Sequence, residues 1–331
     1  MARTPELPSA LVSEGAMERR SNVLTRLTPF VEKKLDLLLD PKKAWQPSVV
    51  LPGPQSSEFR LIQEEAKMLT AETKVVIVGA LITEDGLPNF TAEISRFGEI
   101  YGVGEEENSP WERWRRGWAS EENRHGRLIE MYVRDSVGFK VTQIERDVHG
   151  YISDGFYPGH GKDSYQALMY TAWQERATQD SHKGLARVAK NAGAEYLHKA
   201  AAKMAGDEGR HAQFYIPVVG EIFKLDPEGA IHSLSELVKR GLIMPGNKMS
   251  GFNAFVEASS VSGIYGGIEY TSILQELLKT WDVKSIPLRG QADEERNEIV
   301  SRADRLTKIA ERARPRGNSD ALEALKLRWT I

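Results

Sequence analysis

The sequence predicts an all-α protein, and three observations carry that prediction. Apolar residues recur at three- and four-residue spacing through several long windows, and no segment shows the alternation of a half-buried strand. A Glu-x-x-His pair occurs twice, at Glu122/His125 and at Glu208/His211. Both pairs fall on the apolar stripe of their own window. One stripe is Trp114, Trp118, Glu122, His125 and Ile129; the other is Leu197, Ala201, Met204, Glu208, His211 and Tyr215. Residues three apart share a helix face, so each pair aims a carboxylate and an imidazole at one interior point. Burying two such pairs uncompensated is costly, and a bound cation removes that cost.

Taken in order, residues 1 to about 20 hold two prolines and little periodicity, and read as a tail ahead of a single helical domain, 21–331. A first helix is expected from about Ser21 to Leu39, with Leu24, Leu27, Phe30, Val31, Leu35 and Leu38 as its stripe. Residues 40–54 contain four prolines and read as extended connection. A long helical pattern then runs from about Ser57 to Phe97. Pro88 removes the hydrogen bond that the Glu84 carbonyl would accept, so a kink is expected there, beside a carboxylate that follows the apolar run Val75–Ile82. Next come a helix from Trp111 to about Ser136 and a loop at 149–162, with His149 and His160 as ordinary loop histidines. A helix starting near Asp163 carries Leu168, Thr171, Glu175, Thr178 and His182 on one stripe. The second Glu-x-x-His lies on a helix from about Ala192 to Val219, and further helical segments follow at 227–241, 264–282 and 290–314.

Composition narrows the chemistry. The chain has 331 residues, 40% of them hydrophobic and 27% charged, the balance of a globular protein. It has no cysteine, which excludes disulfides, thiolate metal sites and cysteine nucleophiles, and fits a reducing compartment. A net charge of −3 gives no global attraction for nucleic acid. No apolar run approaches the ~20 residues of a membrane span. The N-terminus lacks a signal-peptide core, and Glu6 and Glu14 count against a transit peptide.

In chain order the inward carboxylates and imidazoles are Glu84, Glu122 with His125, Glu175, and Glu208 with His211. A lone Glu followed by Glu-x-x-His, twice over, is the known ligand pattern of ferritin-like dinuclear carboxylate bundles. Six oxygen and nitrogen donors without sulfur suit iron or manganese, and four carboxylates neutralise two divalent ions. Glu121 and Asp207 also lie within one turn of the histidines, and spacing alone leaves i,i+3 and i,i+4 open.

The segments I-T-E-D-G-L-P, E-E-N-R-H-G, Y-T-A-W-Q-E-R-A-T and D-E-G-R-H-A, in this order, resemble the soluble acyl-acyl-carrier-protein desaturases of the plant stearoyl type. The resemblance runs from W-Q-P at Trp45 to R-L-T-K-I-A-E-R-A at Arg305–Ala313. It implies a homodimer of helical bundles with two ferrous ions per chain. It further implies dioxygen-dependent insertion of a cis double bond into an acyl chain on acyl carrier protein, with electrons from ferredoxin. Carried over by motif, Glu122 and Glu208 bridge the irons, Glu84 and His125 complete one, and Glu175 and His211 the other. Thr178 matches a threonine associated with proton delivery, and Trp45, Asp207 and His125 match an electron route from the surface. The expected compartment is the plastid stroma for a plant mature form and the cytoplasm for a bacterial one. Two alternatives share the ligand set: another oxidase or hydroxylase on a carrier-bound substrate, and a non-catalytic iron-binding protein. The helices after residue 227 count against the second.

Two features bear on substrate and partner. The turns after Pro88 line the acyl cavity in the resembled family, and here they contain Glu93 and Arg96, for which the outward, solvated placement is expected. Acyl carrier protein is acidic, so docking on this slightly acidic chain needs a local basic patch. Arg305, Lys308 and Arg312 fall at helical spacing and can line one face, with Arg314 and Arg316 following. Arg113, Arg115 and Arg116, beside the first Glu-x-x-His, form the competing patch.

Overall fold

The computed structural model of the chain describes residues 14–94, 108–313 and 317–331. Among these, regular structure is helical apart from one isolated antiparallel bridge, Phe139 to Thr330. Helix α1 (Glu14–Lys34) buries Val23, Leu24, Leu27 and Val31. It starts ahead of the expected Ser21, because the charged residues before that point do not end it. Arg20 is itself buried, with its guanidinium 3.1 Å from Asp163 and donating to the Ser233 hydroxyl at 3.0 Å. The proline-rich connection contains only a short helix, α2 (Pro47–Val50).

The single helix expected over 57–97 is instead three: α3 (Phe59–Glu65), α4 (Ala71–Glu84) and α5 (Leu87–Ile94). Leu69 and Thr70 are extended, and the Thr70 hydroxyl caps α4 by accepting from Thr73 N. Asp85 and Gly86 end α4, so Pro88 sits in the first turn of α5, where its missing N–H costs nothing. Pro88 therefore helps start a helix and does not kink one. Residues 95–107, including Arg96, lie outside the described residues.

Helix α6 (Pro110–Asp135) is capped by Ser109 with Pro110 at its first position. An unanticipated helix, α7 (Val141–Asp154), buries Ile144 and Tyr151 and carries His149 on an exposed face, out of the expected loop. His160 stays in the loop but is buried. The Asp163 side chain caps α8 (Ser164–Ala192), and Gly193, at φ +81°, ends it. Then follow α9 (Glu195–Leu225), α10 (Pro227–Arg240), α11 (Phe252–Val261), α12 (Gly267–Thr280), α13 (Gly290–Arg312) and α14 (Asp320–Trp329). No helix among the described residues is long and apolar enough to cross a membrane.

The core is a four-helix bundle. α8 packs along α9, and α4 packs on α6. Helix α1 covers α6 and α9, α10 and α12 cover α8, α13 lies across α10 and α12, and α11 and α14 close over α4. One glycine sets the closeness of α4 to α6. A Cβ on Gly126 would stand 2.4 Å from the Asp85 carboxylate and 3.3 Å from the Glu84 carbonyl carbon. Without that contact the end of α4 reaches His125, and Glu84 and His125 can face one point.

Candidate metal centre

Six side chains from four helices converge at mid-bundle. α4 contributes Glu84, α6 Glu122 and His125, α8 Glu175, and α9 Glu208 and His211. They form two groups, Glu84–Glu122–His125–Glu208 and Glu122–Glu175–Glu208–His211, each with ligand atoms within 4.8 Å of one another. Glu122 and Glu208 belong to both. His125 Nδ1 lies 3.2 Å from Glu122 Oε2 and 3.2 Å from Glu208 Oε1; His211 Nδ1 lies 2.7 Å from Glu122 Oε1 and 3.3 Å from Glu175 Oε2. Short as these separations are, Glu122 Oε1, His125 Nδ1, Glu175 Oε2, Glu208 Oε1 and His211 Nδ1 are buried without a hydrogen bond. Five inward-facing donor atoms left unsatisfied in one interior are what a pair of cations would fill. The donor set, all oxygen and imidazole nitrogen, suits a dinuclear centre of first-row divalent metals.

The remaining nitrogens show which acid of each motif faces inward. His211 Nε2 stands 3.1 Å from Glu121, and His125 Nε2 stands 3.4 Å from Asp207. Each imidazole is thus oriented by the acid that precedes the inward glutamate on the other helix. Glu121 and Asp207 are themselves held by Arg210, whose Nη2 lies 2.8 Å from one and 2.6 Å from the other. Arg124 closes the ring, donating to Asp207 at 3.0 Å. Such outer partners fix the tautomer and direction of a ligating imidazole.

Electrostatics follow burial and pairing. Burial pushes the Glu84 and Glu175 carboxyls up, against the pull of the nearby imidazoles. At Glu122 burial acts the same way but loses to His125 and His211, which hold the carboxyl well below the usual range. Both imidazoles are raised well above the ordinary histidine value despite their burial, by Glu122 and Asp207 at His125 and by Glu175, Glu121 and Glu122 at His211.

A cavity with two lobes meets at this centre, sharing Thr83, Glu84, Gln174, Thr178 and Pro245. One lobe is strongly apolar, walled by Val76, Ala80, Phe252 and Phe255, and reaches Gly266 and Gly267 at the start of α12. The other follows α5 and the N-terminal half of α8 past Leu87, Phe90 and Tyr170 to Glu93 and His160. Glu93 is therefore buried in the cavity wall and not solvated as expected.

The sequence as a whole agrees with this centre: a sequence model of the fatty acid desaturase family matches residues 19–331. The chain belongs to the fatty acid desaturase family. It is 32% identical to an acyl-[acyl-carrier-protein] 6-desaturase of Thunbergia alata, over 89% of this chain and 79% of that relative. It is also 32% identical to chloroplastic stearoyl-[acyl-carrier-protein] 9-desaturase 5 of Arabidopsis thaliana, over 96% of this chain and 83% of that one. A solved structure described as a candidate acyl-ACP desaturase, DesA2 of Mycobacterium tuberculosis H37Rv, superposes with a TM-score of 0.54 over 80% of this chain and 97% of its own, at 18% identity. That likeness shows a shared fold.

The other singled-out residues sit as follows in this desaturase-family chain. Thr178 Oγ1 is 2.9 Å from Glu208 Oε2, and also 3.0 Å from the Gln174 carbonyl of its own helix. Trp45 donates from Nε1 to Asp207 at 3.0 Å, and its ring stacks on His125 at 6.1 Å between centroids. Arg305, Lys308 and Arg312 are exposed on α13; Arg314 and Arg316 lie outside the described residues. Arg115 and Arg116 pair instead with Glu112. Three residues at the centre escaped the sequence reading of roles. His182 lies 3.1 Å from Glu84 Oε1, Trp118 donates to Glu175 at 2.9 Å, and Glu121 acts through His211. His182 and Trp118 were on the right stripes, and facing position was the available signal.

Proposed function

We propose that this chain is an acyl-carrier-protein desaturase that holds two iron ions and introduces a cis double bond into a carrier-bound fatty acyl chain. The observation that supports it most is the junction of the two-group carboxylate–imidazole centre with an apolar lobe leading toward α12. Glu122 and Glu208, common to both groups, would serve both ions; Glu84 and His125 would hold one of them, and Glu175 and His211 the other. Bound iron, once reduced, supplies the capacity to activate dioxygen against an unactivated methylene.

The chain's own residues do the rest. The apolar walls hold the alkyl chain straight past the centre and exclude water. Thr178, shared between Glu208 and its own helix, is placed to hold a proton at the Glu208 carboxylate. Trp45, stacked on His125 and bonded to Asp207, is the inward path for electrons from ferredoxin. Docking of the acidic carrier belongs on α13. Ala310 of that helix approaches Gly267, which lines the apolar lobe, and Arg305, Lys308 and Arg312 stand on the opposite, exposed face of the same helix. On α6, Glu112 pairs with Arg115 and Arg116 and offsets part of their charge, which makes that face the weaker of the two. Homodimer assembly belongs to the same reading and is checked by molar mass in solution.

The test is mass spectrometry of acyl chains after incubation with ferredoxin, its reductase, dioxygen and a series of acyl-carrier-protein thioesters. Loss of two hydrogens from the chain supports desaturation. Gain of an oxygen atom makes the protein a hydroxylase, and no change in any thioester overturns the proposal.

A further inference from the structure

Each carboxylate of the centre has two oxygens, and the four glutamates dispose of them unequally. Glu122 turns both inward, with Oε2 3.2 Å from His125 Nδ1 and Oε1 2.7 Å from His211 Nδ1. The other three turn one oxygen inward and have the second fastened from the side. Glu175 directs Oε2 to His211 at 3.3 Å, while its Oε1 accepts from Trp118 at 2.9 Å. Glu208 directs Oε1 to His125 at 3.2 Å, while its Oε2 lies 2.9 Å from the Thr178 hydroxyl. Glu84 directs Oε2 toward His125 at 3.8 Å, and its Oε1 stands 3.1 Å from His182 Nε2. That last fastener is an imidazole outside the repeated Glu-x-x-His pattern.

The placement of His182 follows from α8. Glu175, Thr178 and His182 are three and then four residues apart, so they share one helix face. That face supplies a ligand, a hydroxyl held against α9 and an imidazole held against the end of α4. His182 is 3% exposed and lines the apolar lobe beside Thr83, Glu84 and Thr178. An imidazole in an apolar wall is costly unless it is bonded. Glu84 Oε1 is the nearer acid, with Glu208 Oε1 at 3.7 Å. An ionised carboxylate only accepts, so Nε2 carries the hydrogen and donates. Turning both Glu84 oxygens to one ion would swing Oε1 away from Nε2 and break that bond. Held as it is, Glu84 would bind through Oε2 alone. The ion it shares with His125 would keep room for a further ligand on the side of the apolar lobe, which Glu84 itself lines.

We propose that His182 is a positioning residue of the centre: by fastening Glu84 Oε1 it restricts Glu84 to single-oxygen binding and keeps one ion open toward the apolar lobe. The inference rests on the two-iron reading. Its counterpart on the other ion is Trp118, an indole that can only donate, so the two unshared glutamates are anchored by chemically different donors.

The experiment compares wild type, His182→Leu and His182→Gln. Leucine fills the site without a donor, and glutamine returns a side-chain N–H at similar reach. Iron per chain is measured, Mössbauer spectra of the ferrous proteins report the two ions separately, and azide, a small anion that takes a vacant metal position, is titrated into the ferric proteins. His182→Leu should keep about two irons, in line with the six-ligand pattern, and show one iron signal altered and the other as in wild type. Azide should bind it about tenfold more weakly, the lower end of what loss of an outer partner does at a metal site, because the freed Glu84 oxygen competes for the position. His182→Gln should restore the wild-type spectrum and azide affinity. Unaltered spectra and azide binding in His182→Leu overturn the proposal. So does a His182→Leu protein that holds a single iron, since His182 would then be a ligand, and so does a His182→Gln protein whose spectrum and azide affinity depart from wild type. Should His182→Leu not fold, His182→Gln decides by the same two readouts. A wild type that takes up no iron defeats the two-iron reading and the proposal with it. A wild type that holds both irons but desaturates nothing loses only the activity, and the role of His182 is still decided by these measurements.

Discussion

Glu121 does not face the metal positions, and for that reason it offers the sharpest test of how the centre is held. Its Oε2 accepts from Arg210 at 2.9 and 2.8 Å and lies 3.1 Å from His211 Nε2, while its Oε1 accepts from Leu39 N at 2.6 Å. Glu121→Gln keeps the shape and removes the charge, leaving the His211 ring without its anionic partner and one surrounding donor without an acceptor. Loss of such an outer partner costs about 10- to 100-fold in metal affinity, which is roughly 1.4–2.8 kcal/mol at 1.4 kcal/mol per tenfold. Of the two imidazoles Glu121 touches His211 alone, so the loss should fall first on one iron and not equally on both. The assay is iron per chain across a graded chelator series. Where wild type retains about two irons, the variant should retain about one, and Asp207→Asn should mirror it from the His125 side. Wild-type retention in Glu121→Gln, or simultaneous loss of both irons, would refute the crossed support.

The other predictions concern separate parts of the molecule. Glu122→Ala and Glu208→Ala each remove a residue common to both ligand groups and should lose both irons, read by metal analysis of the purified variants. Thr178→Val keeps the helix but removes the hydroxyl 2.9 Å from Glu208; iron should stay bound while turnover slows or releases peroxide. Charge reversal at Arg305 and Arg312 should raise the KM for acyl carrier protein and steepen no other parameter, with the wild-type effect weakening as salt screens it over about 10 Å at 0.1 M. Asp147 accepts from Trp329 Nε1 at 2.7 Å and pairs with Arg328, tying α14 to α7, so Asp147→Ala should cost about 1–3 kcal/mol at neutral pH in denaturant unfolding. Burial works to raise this carboxyl, but Arg328 and Trp329 hold it below its ordinary value. The stabilisation is therefore present above the unfolded value of about 3.9 and lost as pH falls through the lower folded value, where wild type and variant should converge.

The sequence disclosed most where burial and periodicity coincide. The helices carrying Glu122, Glu175 and Glu208 were legible because their apolar stripes are long, and a carboxylate on such a stripe has few reasons to be there. Boundaries failed where a polar residue is buried by a distant partner. Arg20 looks like tail until Asp163 and Ser233 are beside it. The Asp85–Gly86 pair is a strong turn mark, and reading Pro88 as a kink passed over it in favour of one continuous helix. Helix α7 was readable, since Val141, Ile144, Val148, Tyr151 and Ile152 recur at helical spacing, whereas α11 and α14, ten residues each, offer fewer repeats. Ser319 before Leu322, Leu325 and Trp329 was nonetheless a readable cap for α14. The inward turn of Glu93 was not readable, since it follows from how α5 lies on α6 and not from local pattern.

The crossed pairing also explains why each motif reads acid–Glu–x–Arg–His. A helix with Glu122 and His125 alone could point two ligands inward, but nothing on that helix would fix the far nitrogen of its own imidazole. Asp207 does so for His125, Glu121 does so for His211, and Arg210 donates to both of these outer acids while Arg124 donates to Asp207. Neither motif is complete without the other helix, so the register of α6 against α9 is set by the same atoms that orient the ligands. A slip of one residue along either helix would break both imidazole supports and the bonds from Arg210 to Glu121 at once. The inward carboxylates, which burial alone would make a liability, are thereby held in one arrangement. In that arrangement two cations would satisfy the five unpaired donor atoms together.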